Sequence, residues 1–125
     1  MIIGMGSDIF EVSRLAGEFI ADDETIKHEL FTETEIRYCE NMHYPERHFA
    51  ARFAAKEAFF KALGTGKLAG MRWRDVEIAN DDSGAPLANL YGAVKEIASL
   101  KQASRIFISM SHTRQIASAT VIIEK

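Results

Sequence analysis

The chain has 125 residues, a net charge of −3, a pI near 5.8 and 47% hydrophobic residues. This length fits one domain over residues 1–125 that is large enough to bury a core. The acidic balance argues against general nucleic-acid binding, which needs a basic face. No apolar run approaches the roughly 20 residues of a membrane helix, and no signal-peptide pattern opens the chain. Because Cys39 is the single cysteine, an internal disulfide and a cysteine-based metal site are excluded. We therefore expect a soluble cytoplasmic protein that binds neither nucleic acid nor membrane.

The first elements in chain order are a strand, a helix and a turn. Ile2 to Asp8 mixes large apolar residues with two glycines and predicts a short strand. From Glu11 to Ile20, apolar residues recur at helical spacing and predict a helix. The acidic stretch 22–24 interrupts this pattern and predicts a turn.

Two further helices follow. Thr32, with Glu35 three residues later, forms a capping-box pattern that opens a helix toward Cys39. The longest helix is predicted over Pro45–Leu63, because proline suits the first helical turn and six alanines raise the helix propensity. Gly64 is placed to end this helix.

The second half of the chain is rich in strand patterns. Alternating polar and apolar residues predict strands, and a turn cluster of acidic residues, serine and glycine separates the first two. The predicted strands are 75–79, 87–90, 106–111 and 116–123, with one helix over 93–100. The fold class is therefore α+β, with strands at the start and the end of the chain.

Glu57 is the first candidate functional residue. It lies on the long helix within about 40° of Phe53, on a face that is otherwise apolar. A buried carboxylate needs a cationic partner, and Lys61 follows one turn later in the favourable order. The simplest interpretation is an ion pair within the helix.

A functional interpretation rests on the neighbouring residues. Lys56 and Lys61 precede the run Gly64-Thr65-Gly66, whose small residues let a polyanion approach the backbone amides while the lysines supply charge. The alternative is that these glycines only end the helix and form a turn. The residues leave both interpretations open.

Asp8 and His112 are further candidates. Asp8 either caps the following helix or joins Glu57 in an oxygen pair that suits Mg²⁺, which takes one or two protein carboxylates. His112 lies at a predicted strand end, where it contacts a phosphate or belongs to a turn. The four histidines lack the spacing of zinc ligands, so zinc is disfavoured.

Three segments occur together in a familiar order. They are residues 3–9 (IGMGSDI), residues 52–66 (RFAAKEAFFKALGTG) and residues 109–113 (SMSHT). With them the chain resembles the holo-[acyl-carrier-protein] synthase family, the small bacterial type of 4′-phosphopantetheinyl transferase, nearly from end to end. The resemblance implies that family's α+β fold, a small antiparallel sheet packed with one long and several short helices in a trimeric assembly. It also implies transfer of phosphopantetheine from coenzyme A to a serine of apo-acyl carrier protein, in support of fatty acid biosynthesis.

The resemblance also implies roles for individual residues. Asp8 and Glu57 would hold Mg²⁺ against the coenzyme A pyrophosphate, and Lys61 would neutralise charge there as a third catalytic residue. Arg52 and His112 would approach the phosphates of coenzyme A. Gly64, Thr65 and Gly66 would line the nucleotide site, and Arg14 would dock the acidic carrier protein. Since family members are trimers with active sites between subunits, some contacts would come from a neighbouring chain.

Several alternatives stay open. The base that removes the serine proton is either Glu57 or a metal-bound water oriented by Asp8. A binding module that retains affinity for coenzyme A or carrier protein without transfer is the second hypothesis for function. A different Mg²⁺-dependent nucleotide-cleaving enzyme on the same scaffold is the third.

Overall fold

Five strands pair into two antiparallel sheets, and the helices pack around them. The computed structural model describes residues 1–15 and 24–125. A three-stranded sheet has the order β1-β5-β4, and a two-stranded sheet pairs β2 with β3. The predicted α+β class with a small antiparallel sheet is confirmed. The elements are β1 (Ile2–Glu11), α1 (Val12–Arg14), α2 (Glu24–Leu30), α3 (Glu33–Glu40), α4 (Pro45–Leu63), a 3-10 turn (Trp73–Asp75), β2 (Val76–Asn80), β3 (Pro86–Leu90), α5 (Gly92–Leu100), β4 (Arg105–His112) and β5 (Ile116–Glu124).

Helix α4 is the central element and has the ends that the sequence predicts. It begins with Pro45 in its first turn. It ends at Gly64, whose φ of 85° lies in the left-handed region that favours glycine. Thirteen of its 19 residues are buried, and they lie on every side of the helix. A helix of this kind is enclosed by the rest of the fold, and α4 packs against the three-stranded sheet along β1 and β5.

The predicted capping box at the start of α3 is confirmed. The Glu35 amide donates to Thr32 Oγ1 at 3.3 Å, and the Thr32 amide donates to Glu35 Oε1 at 2.8 Å. Cys39, near the end of this helix, is fully buried. Burial raises the pKa of its thiol to about 12, so the cysteine behaves as a core residue.

The first quarter of the chain departs from the prediction. β1 continues to Glu11, so Asp8 lies within the strand and does not cap a helix. Of the predicted helix over 11–20, Glu11 belongs instead to β1 and Val12–Arg14 form α1, with Leu15 as its C-cap; residues 16–20 lie outside the described residues, as do residues 22–23. Glu24 was expected in a turn but begins α2, a helix that the sequence pattern did not predict.

Lys27 of the unpredicted helix α2 forms two ion pairs, and a local pattern reveals only one of them. Lys27 Nζ lies 2.8 Å from the carboxylate of Glu24 in the same helix and 2.9 Å from that of Glu40 at the end of α3. The second contact spans 13 positions. The acidic residue that looked like a turn signal is therefore a helix residue with a cationic partner.

Two glycines let β1 approach α4 closely. The inward positions of β1 include Gly4, Gly6 and Asp8, while the alternate residues face outward. A Cβ atom added at Gly4 would lie 1.8 Å from the carbonyl oxygen of Ala62, and one at Gly6 would lie 2.1 Å from that of Ala58. Only a residue without a side chain fits at these two points, because the strand backbone lies directly on the helix backbone.

We predict that Gly6→Ala lowers the free energy of unfolding by about 3 kcal/mol or more, at the upper end of the cost of overpacking, because the added methyl group has no space and the strand must move. Urea denaturation measures the change. Gly84→Ala is the matched control: Gly84 has open space but a φ of 90°, so its cost is limited to the backbone strain of about 1–2 kcal/mol. Equal losses in the two variants would contradict the close contact.

Candidate active site

Lys61 and Asp8 join α4 to β1 through an ion pair. Lys61 Nζ lies 3.0 Å from Asp8 Oδ1 and also donates to the Ser7 carbonyl oxygen at 3.0 Å. The sequence predicted a pair between Glu57 and Lys61, but among the described residues the salt bridge of Lys61 is with Asp8. The prediction was wrong in its partner because the approach of β1 brings a second carboxylate to the lysine.

Glu57 lies beside this pair and is half-buried. Burial raises the pKa of Glu57, and the charge and hydrogen bonding of Asp8 raise it further. Lys61 and Arg14 lower it, but less strongly. Two carboxylates are therefore held together in a partly desolvated place, as is typical of functional sites.

The carboxylates of Asp8 and Glu57 fit a magnesium ion. Asp8 Oδ2 is buried and has no hydrogen-bond partner among the described residues, which leaves an oxygen lone pair available to a cation. Mg²⁺ prefers hard oxygen ligands and takes one or two protein carboxylates, its other positions being filled by water and substrate phosphates. Within residues 1–15 and 24–125, no group of three or more His, Cys, Asp or Glu side chains forms a fuller metal cage.

Arg14 lies at the rim of the carboxylate cluster. Its guanidinium carbon stands 5.0 Å from the centre of the Phe10 ring, and the side chain is exposed. Its positive charge is near enough to lower the pKa of Glu57. A partner that contacts Arg14 would therefore come close to the two carboxylates.

The loop after α4 is open on its outer side. Gly64 and Gly66 both have positive φ, and a Cβ atom at either one would meet nothing within 4 Å. The Thr65 hydroxyl donates to the Gly66 carbonyl oxygen at 2.7 Å. The helix stop is confirmed, and a phosphate contact of these three residues stays a prediction.

Lys56 does not lie beside this loop, contrary to the expectation that it supplies charge there. It is fully buried, with its Nζ 2.8 Å from Glu35 Oε1 and 3.0 Å from the Trp73 carbonyl oxygen. Glu35, also fully buried, accepts a further hydrogen bond from the Ile78 amide at 2.8 Å. The reason is helical geometry: a step of one residue from Glu57 turns the side chain by about 100°, toward α3 and β2.

We predict that Lys56→Met lowers the free energy of unfolding by about 3–5 kcal/mol, since it leaves the Glu35 carboxylate buried without its cation. Chemical denaturation measures the loss. Lys27→Met is the control, because Lys27 pairs with exposed carboxylates and exposed pairs contribute about 0–1 kcal/mol. A Lys56 variant as stable as the Lys27 variant would rule out a structural role for the buried pair.

A second group of polar residues lines a cavity of about 310 Å³ between α3, α4, β4 and the end of β2. Its polar lining includes Tyr38, His48, Arg52, Asn80 and His112. Arg52 and His112, which the resemblance assigned to the same ligand, are thus brought together, while their role stays a prediction. The other three residues were missed by sequence reasoning. The available signal was that His48 lies four residues before Arg52 and so shares its helix face.

Arg52 is a buried cation without a carboxylate partner among the described residues. It is 2% exposed, donates from Nη2 to Asn80 Oδ1 at 2.7 Å, and stacks its guanidinium carbon 4.1 Å from the Tyr38 ring centre. Its Nε atom is buried and has no hydrogen-bond partner in the described part of the chain. An uncompensated buried charge is unfavourable, so this cavity suits an anion.

The carboxylate cluster and the cavity lie on opposite flanks of α4. Arg52 and Glu57 are five residues apart, which separates their side chains by about 140° around the helix. Asp8 belongs to β1 and His112 to β4, the two edges of the three-stranded sheet, which are two strand spacings or about 10 Å apart. One molecule therefore presents two separate polar surfaces.

Comparisons with known proteins show the family to which the chain belongs. The family model described as the 4′-phosphopantetheinyl transferase superfamily matches residues 4–119. The chain therefore belongs to this superfamily of transferases. Within it, the chain is 40% identical over 124 residues to the holo-[acyl-carrier-protein] synthase of Syntrophus aciditrophicus (strain SB), covering 99% of this chain and 97% of that protein.

Solved structures of such synthases share the fold. The crystal structure of the synthase from Neisseria meningitidis superposes with a TM-score of 0.90 at 31% identity, covering 100% of both chains. The synthase from Bacillus anthracis, crystallised in complex with CoA (3′,5′-ADP), superposes with a TM-score of 0.80 at 31% identity, covering 99% of this chain and 97% of that chain. Among the described residues, no helix has the length and apolar character needed to cross a membrane.

Proposed function

We propose that this protein transfers the 4′-phosphopantetheine group of coenzyme A to a serine of apo-acyl carrier protein. The products are holo-acyl carrier protein and adenosine 3′,5′-bisphosphate, and the reaction depends on Mg²⁺. The protein acts in fatty acid biosynthesis in the cytoplasm. Residues 1–125 act as one domain. The observation that carries the proposal is the cluster of Asp8, Glu57 and Lys61 in a chain of this superfamily. Relatives named holo-[acyl-carrier-protein] synthase support the reaction.

The reaction requires attack of a serine oxygen on a phosphorus atom of the coenzyme A pyrophosphate. A new O–P bond to phosphopantetheine forms, the bond to the adenosine bisphosphate breaks, and the serine proton must be accepted. Such transfers depend on positioning and on neutralising the phosphate oxygens. Asp8 and Glu57 would hold Mg²⁺, which would neutralise the pyrophosphate and make the bisphosphate a better leaving group.

Lys61 is suited to bind the pyrophosphate. An ammonium group has three donors, and two of them are directed at Asp8 and the Ser7 carbonyl oxygen. The third can donate to a phosphate oxygen, since the Lys61 side chain is 55% exposed. Its contact with the strand thus fixes the ammonium group without using all of its donors.

Glu57 is suited to accept the serine proton. A general base works best when its pKa approaches the ambient pH. Burial and the neighbouring Asp8 shift the pKa of Glu57 upward, in that direction. The same residue would be an oxygen ligand of the metal, so Glu57 would both hold the metal and accept the serine proton.

Arg52 and His112 are proposed to bind a phosphate of coenzyme A in the second cavity, with Gly64, Thr65 and Gly66 along the nucleotide. The orphaned Nε atom of Arg52 supports an anionic ligand there. The two polar surfaces lie on opposite flanks of α4, an arrangement that favours contact of one coenzyme A with two copies of the chain. We therefore propose a homotrimer in which the carboxylate cluster of one copy faces the cavity of its neighbour.

The outward side of the three-stranded sheet supports self-association. Met5 is 68% exposed and Ile9 is 72% exposed on β1, and Phe107 and Ile116 are exposed on the neighbouring strands. Adjacent exposed large apolar residues on one surface mark an interaction site. This surface is therefore the proposed contact between copies.

Arg14 is proposed to dock the acidic carrier protein. The residue is exposed in α1, directly after β1, and its charge reaches Glu57. A carrier protein bound there would bring its serine hydroxyl to the carboxylates. Electrostatic contacts of this kind mainly increase the association rate.

A binding module without activity is disfavoured by the same geometry. Such a module has no need for two carboxylates and a lysine assembled at a partly desolvated place, an arrangement that is typical of catalysis. A nucleotide-cleaving enzyme would use these residues too, but it would release adenosine 3′,5′-bisphosphate without a carrier protein.

We predict that the purified protein adds one phosphopantetheine to apo-acyl carrier protein in the presence of coenzyme A and Mg²⁺, and that a chelator prevents the gain in intact mass. Asp8→Asn and Glu57→Gln should abolish transfer, and Lys61→Ala should raise the transition-state barrier by about 2–4 kcal/mol. Circular dichroism must show that the variants are folded. Bisphosphate release without carrier protein would favour the nucleotide-cleaving enzyme, and coenzyme A binding without transfer would favour the binding module.

We predict that a mixture of two inactive variants regains activity. Asp8→Asn damages the carboxylate cluster and Arg52→Met damages the cavity, so a mixed trimer contains some sites in which both flanks are intact. Co-expression in equal amounts should restore about a quarter of the sites, by random assembly of a closed ring. Each variant expressed alone is the control. No recovery in mixed oligomers that sedimentation shows to be formed would contradict a shared site.

A further inference from the structure

His48 has a place in the cavity that the proposed function does not use. It lies one turn before Arg52 on α4, and its ring centre is 4.8 Å from that of His112 on β4, with the ring planes at 67°. On the α3 side its ring centre is 6.1 Å from that of Tyr38. Asn80 from β2 lines the same cavity and is neutral. The two imidazoles thus stand beside the buried guanidinium of Arg52.

The charges around His48 are mostly positive. On its own helix they are Arg47 and Arg52, opposed by Glu46, and on β4 the facing group is His112. Burial lowers the pKa of His48, and the charges of His112 and the two arginines lower it further, against a smaller opposite effect of Glu46. Without a ligand, burial and these charges therefore favour the uncharged form of the His48 ring.

We infer that His48 is a third phosphate-binding residue of this cavity, and that a dianionic phosphomonoester bound there draws a proton onto the His48 imidazole. The inference rests on the proposed function, which places a coenzyme A phosphate beside Arg52. The buried Arg52 Nε atom without a partner among the described residues is the independent sign of an anion. The 4.8 Å separation of the two rings lets one phosphate meet both.

The sign of the pH dependence follows from the charges. A dianion stabilises a protonated imidazole, so the bound protein holds protons more tightly than the free protein does. Binding must therefore take up protons, and affinity must rise as the pH falls through the range in which the bound imidazole becomes charged. The phosphate itself changes charge near pH 6, which alters the affinity of the variant and of the parent protein alike. The ratio of their two affinities at each pH therefore isolates the contribution of His48.

The test uses adenosine 3′,5′-bisphosphate as the probe and isothermal titration calorimetry of the intact protein in its native assembly. At about pH 6, His48→Phe and His48→Gln should each weaken binding about tenfold, as expected for loss of a charge-assisted hydrogen bond. At about pH 8 the loss should be under about twofold, because the imidazole is then neutral. Titrations in buffers of different ionisation enthalpy should show smaller proton uptake in both variants.

His28→Gln is the matched control. His28 lies on α2 and pairs with Glu33 at 2.9 Å, away from the cavity, so its loss should leave both affinity and proton uptake unchanged. Equal weakening at both pH values, or unchanged proton uptake in the His48 variants, would overturn the inference while transfer activity in the parent protein upholds the proposed function. A parent protein that binds no bisphosphate at either pH and shows no transfer would overturn both.

Discussion

The contact of the β1 backbone with the α4 backbone is the constraint on which the carboxylate cluster depends. Gly4 and Gly6 remove the side chains that would hold the strand away from the helix. Only at this short separation does Asp8 reach Lys61 and lie beside Glu57. Through packing alone, the two glycines of β1 therefore determine where the Asp8 carboxylate lies.

The polar residues of α4 point in three directions, and each group contacts a different part of the fold. Glu57 and Lys61 meet β1, Arg52 faces the cavity beside β4, and Lys56 is paired with Glu35 inside the fold. The buried pair fixes the rotation of the helix against α3 and β2, since both charges lose their compensation if the helix turns. This fixed rotation holds the carboxylates and the guanidinium on opposite flanks.

Local signals in the sequence predicted the ends of helices correctly where those ends depend only on neighbouring residues. Pro45, Gly64 and the Thr32–Glu35 capping box mark their helix ends by backbone chemistry that does not depend on the rest of the fold. The same reasoning missed α2, because Lys27 is paired with a carboxylate 13 positions away. It selected Asp8, Glu57 and Lys61 together but gave Lys61 the wrong partner. It also missed Tyr38 and Asn80 of the cavity lining, because their contacts join segments that are distant in the chain.

The pairing of β1 with β5 has a consequence for the order of folding. Phe10 lies opposite Ala117, and Asp8 lies opposite Ala119, so this ladder closes a loop that contains most of the chain. The β4–β5 hairpin and α4 need only local closure, which is entropically cheaper and faster. We expect β1 to join last, carrying Asp8 onto a helix that is already in place. Enzymatic activity would then appear only when the whole fold is complete. An intermediate in which β1 has not yet docked has α4 with Glu57 in place but lacks Asp8 beside it.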